Sequence, residues 1–280
     1  MKLGQKIAIN YIKGKLNLLA LVSKKKAAEA AFELFCTPRH RSKKVYPPIF
    51  NKAEKLSIKV EGNLVKGFRW NKGGSKKVLV LHGFESSSKN FERYINPLIK
   101  KNYEVLAFDA PAHGISGGKQ ITLPLYIKTI QAVYDRYGPI QSFVSHSFGG
   151  LAIIHFMERA PHDAQTHIAL IAPATETKTA IDTFFSFLQL DDDVRKVFEQ
   201  LIKQKSGLDP YYYSIPRALQ HINASILWVH DTNDEVTPIR DVRPVMEKQY
   251  PNIRFMITEG LGHRNIYRDT KVNHVVTDFL

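Results

Sequence analysis

Phe143-Val144-Ser145-His146-Ser147-Phe148-Gly149-Gly150 is the stretch on which the reading of this chain turns. Ile140 to Val144 is short, apolar and rich in β-branched and aromatic residues, as a buried strand is. Leu151 to Met157 reads as the opening of an apolar helix. A strand that passes at once into a helix strains its turn residue and presents that side chain at the end of the sheet. The turn residue here is Ser147, the candidate nucleophile of a nucleophile elbow. The usual pattern is G-x-S-x-G, and Ser145 stands where the first glycine would. The departure is mild, because serine is small. Its hydroxyl is expected to tuck against the following helix. Taken alone, the pattern describes a small-residue turn equally well.

Working outward, strand and helix alternate. Val78-Leu79-Val80-Leu81 and Glu104-Val105-Leu106-Ala107-Phe108 are continuous apolar runs, expected of strands buried on both faces. Helices are expected from about Asn90 to Lys101 and Leu123 to Tyr137. The strands His167 to Ile171, Ser225 to His230 and Ile253 to Ile257 continue the rhythm, with a helix over Ile239 to Lys248 and a last one to Leu280. Upstream, Glu54 to Val60 and Leu64 to Trp70 alternate apolar and polar residues around Glu61-Gly62-Asn63. That predicts an antiparallel hairpin at a sheet edge. The fold class is α/β, with a mainly parallel sheet and helices on both faces. Residues 175–222 interrupt the rhythm with helical patterns and are expected to form a small helical cap.

Residues 1–46 precede this domain as a basic helical segment and linker, the domain itself spanning 47–280. Ile7 to Val22 mixes apolar residues with lysines, and Lys24-Lys25-Lys26 breaks the run. The segment lacks the long apolar middle and small-residue cleavage site of a secretory signal. It is expected to pack on the domain; a peripheral membrane contact is the alternative. Arg39 to Ala53, with Pro47-Pro48, reads as an extended linker. The formal net charge is +14, which suits nucleic acid, an anionic membrane or simply a lysine-rich solvated surface. No nucleic-acid motif is present, so no nucleic-acid partner is expected. One cysteine, Cys36, rules out an intrachain disulfide and fits a reducing, cytoplasmic compartment. Oligomeric state is not legible.

A serine hydroxyl needs a general base, a carboxylate to orient that base, and donors for the developing oxyanion. The strand after the cap ends in Asp231-Thr232-Asn233-Asp234-Glu235 ahead of Pro238. Asp234 is the favoured carboxylate, with Asp231 and Glu235 as competitors. The last strand ends in Glu259-Gly260-Leu261-Gly262-His263, a glycine-flanked histidine placed to reach across the strand ends. The order Ser…Asp…His strengthens both assignments. The oxyanion donors are expected to be the backbone N–H groups of Phe148 and Phe84, in a loop shaped by His82-Gly83. His113 and Ser116 should organise their own loop. His146 should pack beside the elbow.

Together these motifs resemble the α/β-hydrolase superfamily from about Lys55 to Leu280. The marks are Leu81 to Phe84, Asp109 to Ser116, Ser145 to Gly150, Asp231 to Asp234 with Pro238, and Gly262-His263. The resemblance implies an eight-stranded, mostly parallel sheet and a triad of Ser147, Asp234 and His263. It looks most like the esterase, lipase and acyl-hydrolase branch, acting on a small acyl substrate with no metal and no cofactor. An ester or thioester is the expected substrate, with Phe184, Phe185, Phe187, Leu188 and Tyr211 to Tyr213 lining an apolar pocket. Amidases, peptidases and cofactor-free haloperoxidases share the triad. A non-catalytic binding protein on the same fold is the opposing reading.

Overall fold

The computed structural model describes residues 3–39, 41 and 45–280; His40 and residues 42–44 of the expected linker, with Met1 and Lys2, lie outside the described residues. In chain order, α1 (Leu3–Val22) and α2 (Lys24–Cys36) precede the hairpin strands β1 (Glu54–Val60) and β2 (Asn63–Trp70). Then come β3 (Lys76–Leu81), α3 (Glu92–Lys100), β4 (Tyr103–Phe108), α4 (Leu123–Tyr137), β5 (Ser142–His146), α5 (Phe148–Met157) and β6 (His167–Ile171). The excursion contributes α6 (Thr177–Leu188) and α7 (Asp192–Ser206). The chain closes with α8 (Ile215–Ala218), β7 (Ser225–Asp231), α9 (Arg243–Glu247), β8 (Ile253–Thr258), α10 (Gly262–Asn265) and α11 (Thr270–Phe279). Two helices are shorter than their sequence suggests. Ser88–Phe91 is a 3-10 turn leading into α3, and Ile239–Asp241 is another ahead of α9.

These elements form two compact units, Pro38–Thr175 with Ser214–Leu280, and Met1–Thr37 with Glu176–Tyr213. The first holds one eight-stranded sheet in the order β1-β2-β4-β3-β5-β6-β7-β8. β1 pairs antiparallel with β2, and β2 antiparallel with β4; every other pairing is parallel. The parallel strands are the ones whose apolar runs do not alternate, because helices cover both of their faces. Val78, Val80, Val105, Ala107, Val144 and Ala169 share a core with Tyr94, Ile95 and Leu98 of α3 and Val272 and Val276 of α11. Successive side chains on a strand point to opposite faces, so Leu79, Leu106 and Phe143, all fully buried, face the other side. There α4 and α5 pack together. The strand order reverses between β3 and β5, since β4 lies on one side of β3 and β5 on the other. Ligands of open parallel sheets bind outside the carboxyl ends of the strands at such a switch point.

The second unit joins four helices from two distant parts of the chain. Ser23 ends α1 and caps α2, its hydroxyl accepting the Lys26 N–H at 3.3 Å. Ala27, Ala28 and Ala31 are fully buried, and small side chains on that face let α2 lie close against α7. Leu16 and Ala20 of α1 share the core with Ile181, Phe185, Leu188, Val194 and Phe198. Phe35 packs edge-on against Phe184 at 5.0 Å and Phe198 at 5.6 Å. Asp191 caps α7 through the Val194 N–H at 2.9 Å and pairs with Lys24. The aromatic residues expected to line a substrate pocket therefore divide. Phe185 and Leu188 are core, Phe184 packs on it, and Phe187 and Tyr211 are exposed. Helix-spaced aromatics look alike in a sequence whether they fill a core or line a cavity.

Candidate active site

One residue separates β5 from α5, so Ser147 must reverse the backbone by itself. It does so at φ 54°, ψ −120°, left-handed for a side-chain-bearing residue. Its own backbone bonds hold it there. The Ser147 N–H donates to the Ile171 carbonyl at 3.2 Å, and its carbonyl accepts the N–H groups of Gly150 at 2.9 Å and Ala174 at 3.0 Å. The end of β6 thus braces the turn. Close approach does the rest. A Cβ on Gly149 would fall 2.8 Å from the carbonyl oxygens of Leu81 and His82. A Cβ on Gly83 would fall 2.8 Å from Ser147 Cβ. Only glycine lets the loop after β3 lie this near the elbow.

Three strand ends meet here. The Ser147 hydroxyl lies 3.0 Å from Nε2 of His263, which follows β8, and Nδ1 of His263 lies 2.8 Å from Oδ2 of Asp234, which follows β7. For a neutral His263 ring, Asp234 leaves one consistent tautomer: Nδ1–H donates to the carboxylate, and bare Nε2 accepts the Ser147 hydroxyl hydrogen. Asp234 is buried, yet its lone pairs are filled. Oδ1 accepts the N–H groups of Val236 and Thr237, both at 2.8 Å, and Oδ2 accepts the Thr237 hydroxyl at 2.8 Å. Burial alone would raise its pKa. The hydrogen bond and charge of His263, with the Thr237 donors, outweigh that and hold the carboxyl below its ordinary value.

Asp231 and Glu235, the competitors, stand elsewhere. Asp231 ends β7 and accepts from Asn233 N–H, Leu261 N–H and the Thr258 hydroxyl, so it pins the loop that carries His263. Glu235 is exposed. Cys36 offers no rival nucleophile, since burial pushes its thiol up to about 12.

A family model described as Hydrolase_4, serine aminopeptidase S33, matches residues 74–208. The chain is similar to a serine hydrolase-like protein of Danio rerio, 21% identical over 69% of this chain and 59% of that protein. It is similar to human serine hydrolase-like protein 2, 24% identical over 60% of this chain and 53% of the relative. The chain thus spans somewhat over half the length of these curated relatives. Among solved structures, the Pyrococcus furiosus esterase Pf2001 superposes with TM-score 0.63 at 22% identity, over 88% of this chain and 97% of the other.

The chain has the α/β-hydrolase fold.

On this α/β-hydrolase fold, Phe148 N–H is the first of α5, one of the donors a helix leaves without an intrahelical partner. Phe84 follows Gly83 in the loop that abuts the elbow, and the rings of Phe84 and Phe148 meet edge-on at 6.2 Å. Neither N–H donates to a backbone carbonyl among the described residues. The Phe84 loop is fixed from behind. Glu85 N–H donates to Nε2 of His113 at 3.0 Å, and Ala110 N–H donates to Nε2 of His82 at 2.9 Å. Both histidines are kept neutral by burial, His113 down to about 3. The fully buried Asp109 carboxylate ties the two loops together, accepting Ser88 N–H at 2.8 Å, Ile115 N–H at 2.9 Å and the Tyr46 hydroxyl. Asp109→Ala would orphan three donors at about 1 kcal/mol or more each. A loss of about 3 kcal/mol in urea unfolding is the expected result.

Ser145 differs from expectation. Its hydroxyl donates to the Ala169 carbonyl of β6 at 3.1 Å rather than reaching the following helix. It is a β5 residue paired with Leu170, so its side chain stands off the sheet beside the next strand. The elbow keeps its geometry. Ser145→Gly should therefore leave the protein folded, with an unfolding free energy lower by about 1–2 kcal/mol for the lost bond and added chain entropy.

Of two further contributors, Thr237 carries no legible signal, and His146 is expected from the sequence only to pack beside the elbow. Thr237 reaches Asp234 and lies 3.2 Å from His263 Nδ1; its spacing three residues after an aspartate is that of any capped turn. His146 stacks near His263 and Tyr267, each at 4.6 Å, and its Nε2 lies 3.0 Å from the His263 carbonyl. Burial lowers its pKa to about 3. It is therefore neutral, with Nε2–H donating to that carbonyl, and it tethers the backbone of the residue whose ring meets Ser147.

Proposed function

We propose that this α/β-hydrolase is an active serine hydrolase that cleaves a carboxylic ester or thioester through an acyl-enzyme. The observation that carries the reading is the continuous hydrogen-bonded line from Ser147 through His263 to Asp234. In it, Ser147 Oγ attacks the acyl carbon while His263 Nε2 takes the hydroxyl proton. Asp234 holds Nδ1–H and stabilises the imidazolium. The Phe84 and Phe148 N–H groups receive the oxyanion. Collapse expels the alcohol or thiol, which takes the proton from His263. Water then repeats the sequence against the acyl-enzyme and frees the acid.

The matched family model bears the name of an aminopeptidase, which favours a second reading, amide cleavage by the same residues. The two part at the leaving group, since an amine departs only once it is protonated.

A fluorophosphonate probe tests the chemistry, and a substrate panel tests the class. Wild type should be labelled at Ser147 and should turn over p-nitrophenyl esters of graded chain length, or acyl thioesters, faster than aminoacyl anilides. Folded wild-type protein that takes up no probe would end the hydrolase reading. Anilide turnover above ester turnover would replace the ester by the peptide.

A further inference from the structure

Helix α1 has two apolar faces and its own unit uses one of them. At about 100° per residue, Ile12, Leu16, Leu19 and Ala20 fall on one side, and these belong to the core with α2, α6 and α7. Ile7, Tyr11, Leu18, Leu21 and Val22 fall on the opposite side, within an arc of about 100°. They are between 62% and 83% exposed. An exposed apolar residue is ordinary when single, but five in one stripe are not.

The charge around the stripe selects its occupant. The first 26 residues contain seven lysines and no aspartate or glutamate. Lys13 sits over the Phe187 ring, and Lys24 pairs with Asp191. Lys15, at the edge of the stripe, and Lys25 and Lys26, beyond its end, are exposed and form no ion pair among the described residues. A second copy would bring the same lysines face to face on a chain of net charge +14. Nucleic acid would satisfy the lysines and leave Ile7, Leu18 and Leu21 in water. An anionic bilayer satisfies both, with headgroup phosphates for the ammonium groups and the acyl boundary for the stripe. Among the described residues no helix is long and apolar enough to cross a membrane, so the contact is interfacial.

We infer that the outward face of α1 docks this protein on an anionic lipid surface, with Ile7, Tyr11, Leu18, Leu21 and Val22 entering the headgroup boundary and Lys15, Lys25 and Lys26 meeting the phosphates. This stands independently of any hydrolytic activity.

The test uses the full chain and sedimentable vesicles, either pure phosphatidylcholine or with about one third phosphatidylglycerol. Wild type should sediment with the anionic vesicles, and at least about tenfold less with the neutral ones or in ~0.5 M salt. Replacing Ile7, Leu18 and Leu21 by serine should cut binding about tenfold or more, as should Lys15→Gln with Lys25→Gln and Lys26→Gln. These positions are exposed, and an unchanged circular-dichroism melt checks the fold. As a readout that removes no apolar surface, Tyr11→Trp should be quenched by brominated acyl chains, against a background from buried Trp70 and Trp228. Wild type left in the supernatant, an unaffected serine variant or an unquenched indole overturns the proposal. So does a dimer seen by sedimentation equilibrium that the serine variant dissolves, because the face then belongs to a second copy.

Discussion

Ser147→Ala should lower kcat on an activated ester by at least about 10⁴-fold and abolish fluorophosphonate labelling. The substitution removes one atom beyond Cβ. The turn is held by backbone bonds to Ile171, Gly150 and Ala174, none of which uses the hydroxyl. Alanine pays a left-handed penalty comparable to that of serine, so the melt should stay within a few degrees of wild type. The size of the loss follows from the division of labour at the site. In the proposed mechanism there is no acyl-enzyme without Oγ, and His263 and the proposed oxyanion donors can only assist water. A variant that keeps even a few per cent of the wild-type rate would move the nucleophile elsewhere and take the mechanism with it.

Asp234→Asn should cost about 10⁴-fold in kcat with little change in KM. The asparagine amide fits the same space but offers an N–H where the carboxylate offered a lone pair. His263 can then turn its bare nitrogen toward residue 234, which leaves Nε2–H pointing at Ser147 Oγ and unable to accept its proton. The same residue governs an acid limb of stability. The folded Asp234 carboxyl titrates below its ordinary value. Its contribution is therefore fully present above the unfolded value of about 3.9 and is lost as pH falls through the lower folded value. Asp234→Asn should flatten the decline of the urea midpoint below about pH 4. A mutant whose midpoint falls as steeply as that of wild type would show that the carboxylate is not held by these bonds.

The sheet was legible because its strands are unlike their surroundings. Val78 to Leu81 and Ile168 to Ile171 are apolar runs of strand length between turn residues, and in an α/β alternation such runs have few other destinations. The elbow was legible for the same reason, since a buried strand met a helix with one residue between. The partners of α1 and α2 were not legible. Amphipathic spacing says that Leu16 and Ala20 are buried; it does not say that Phe185 and Phe198, more than 160 residues on, bury them. Nor could spacing choose among Asp231, Asp234 and Glu235. That choice depends on which oxygen the turn aims at β8, and Asp231 is taken up by Thr258 and Leu261. Ser145 was misjudged because its position in the elbow pattern suggested the helix. As a strand residue, it had a neighbouring carbonyl to find first.

The placement of Ser147, Asp234 and His263 after the ends of β5, β7 and β8 bears on how the molecule is made. Ribosomes add roughly 5–20 residues per second, so the elbow leaves the tunnel several seconds before the histidine proposed to serve it. Through that interval the serine sits in a nascent chain that lacks its base, unable to acylate itself on passing esters. Premature stop codons anywhere ahead of His263 should give chains that no fluorophosphonate labels, whatever their degree of folding. Covalent labelling of this protein therefore counts only chains that extend through His263, and a labelled product truncated ahead of β8 would show that the elbow can be activated without that strand.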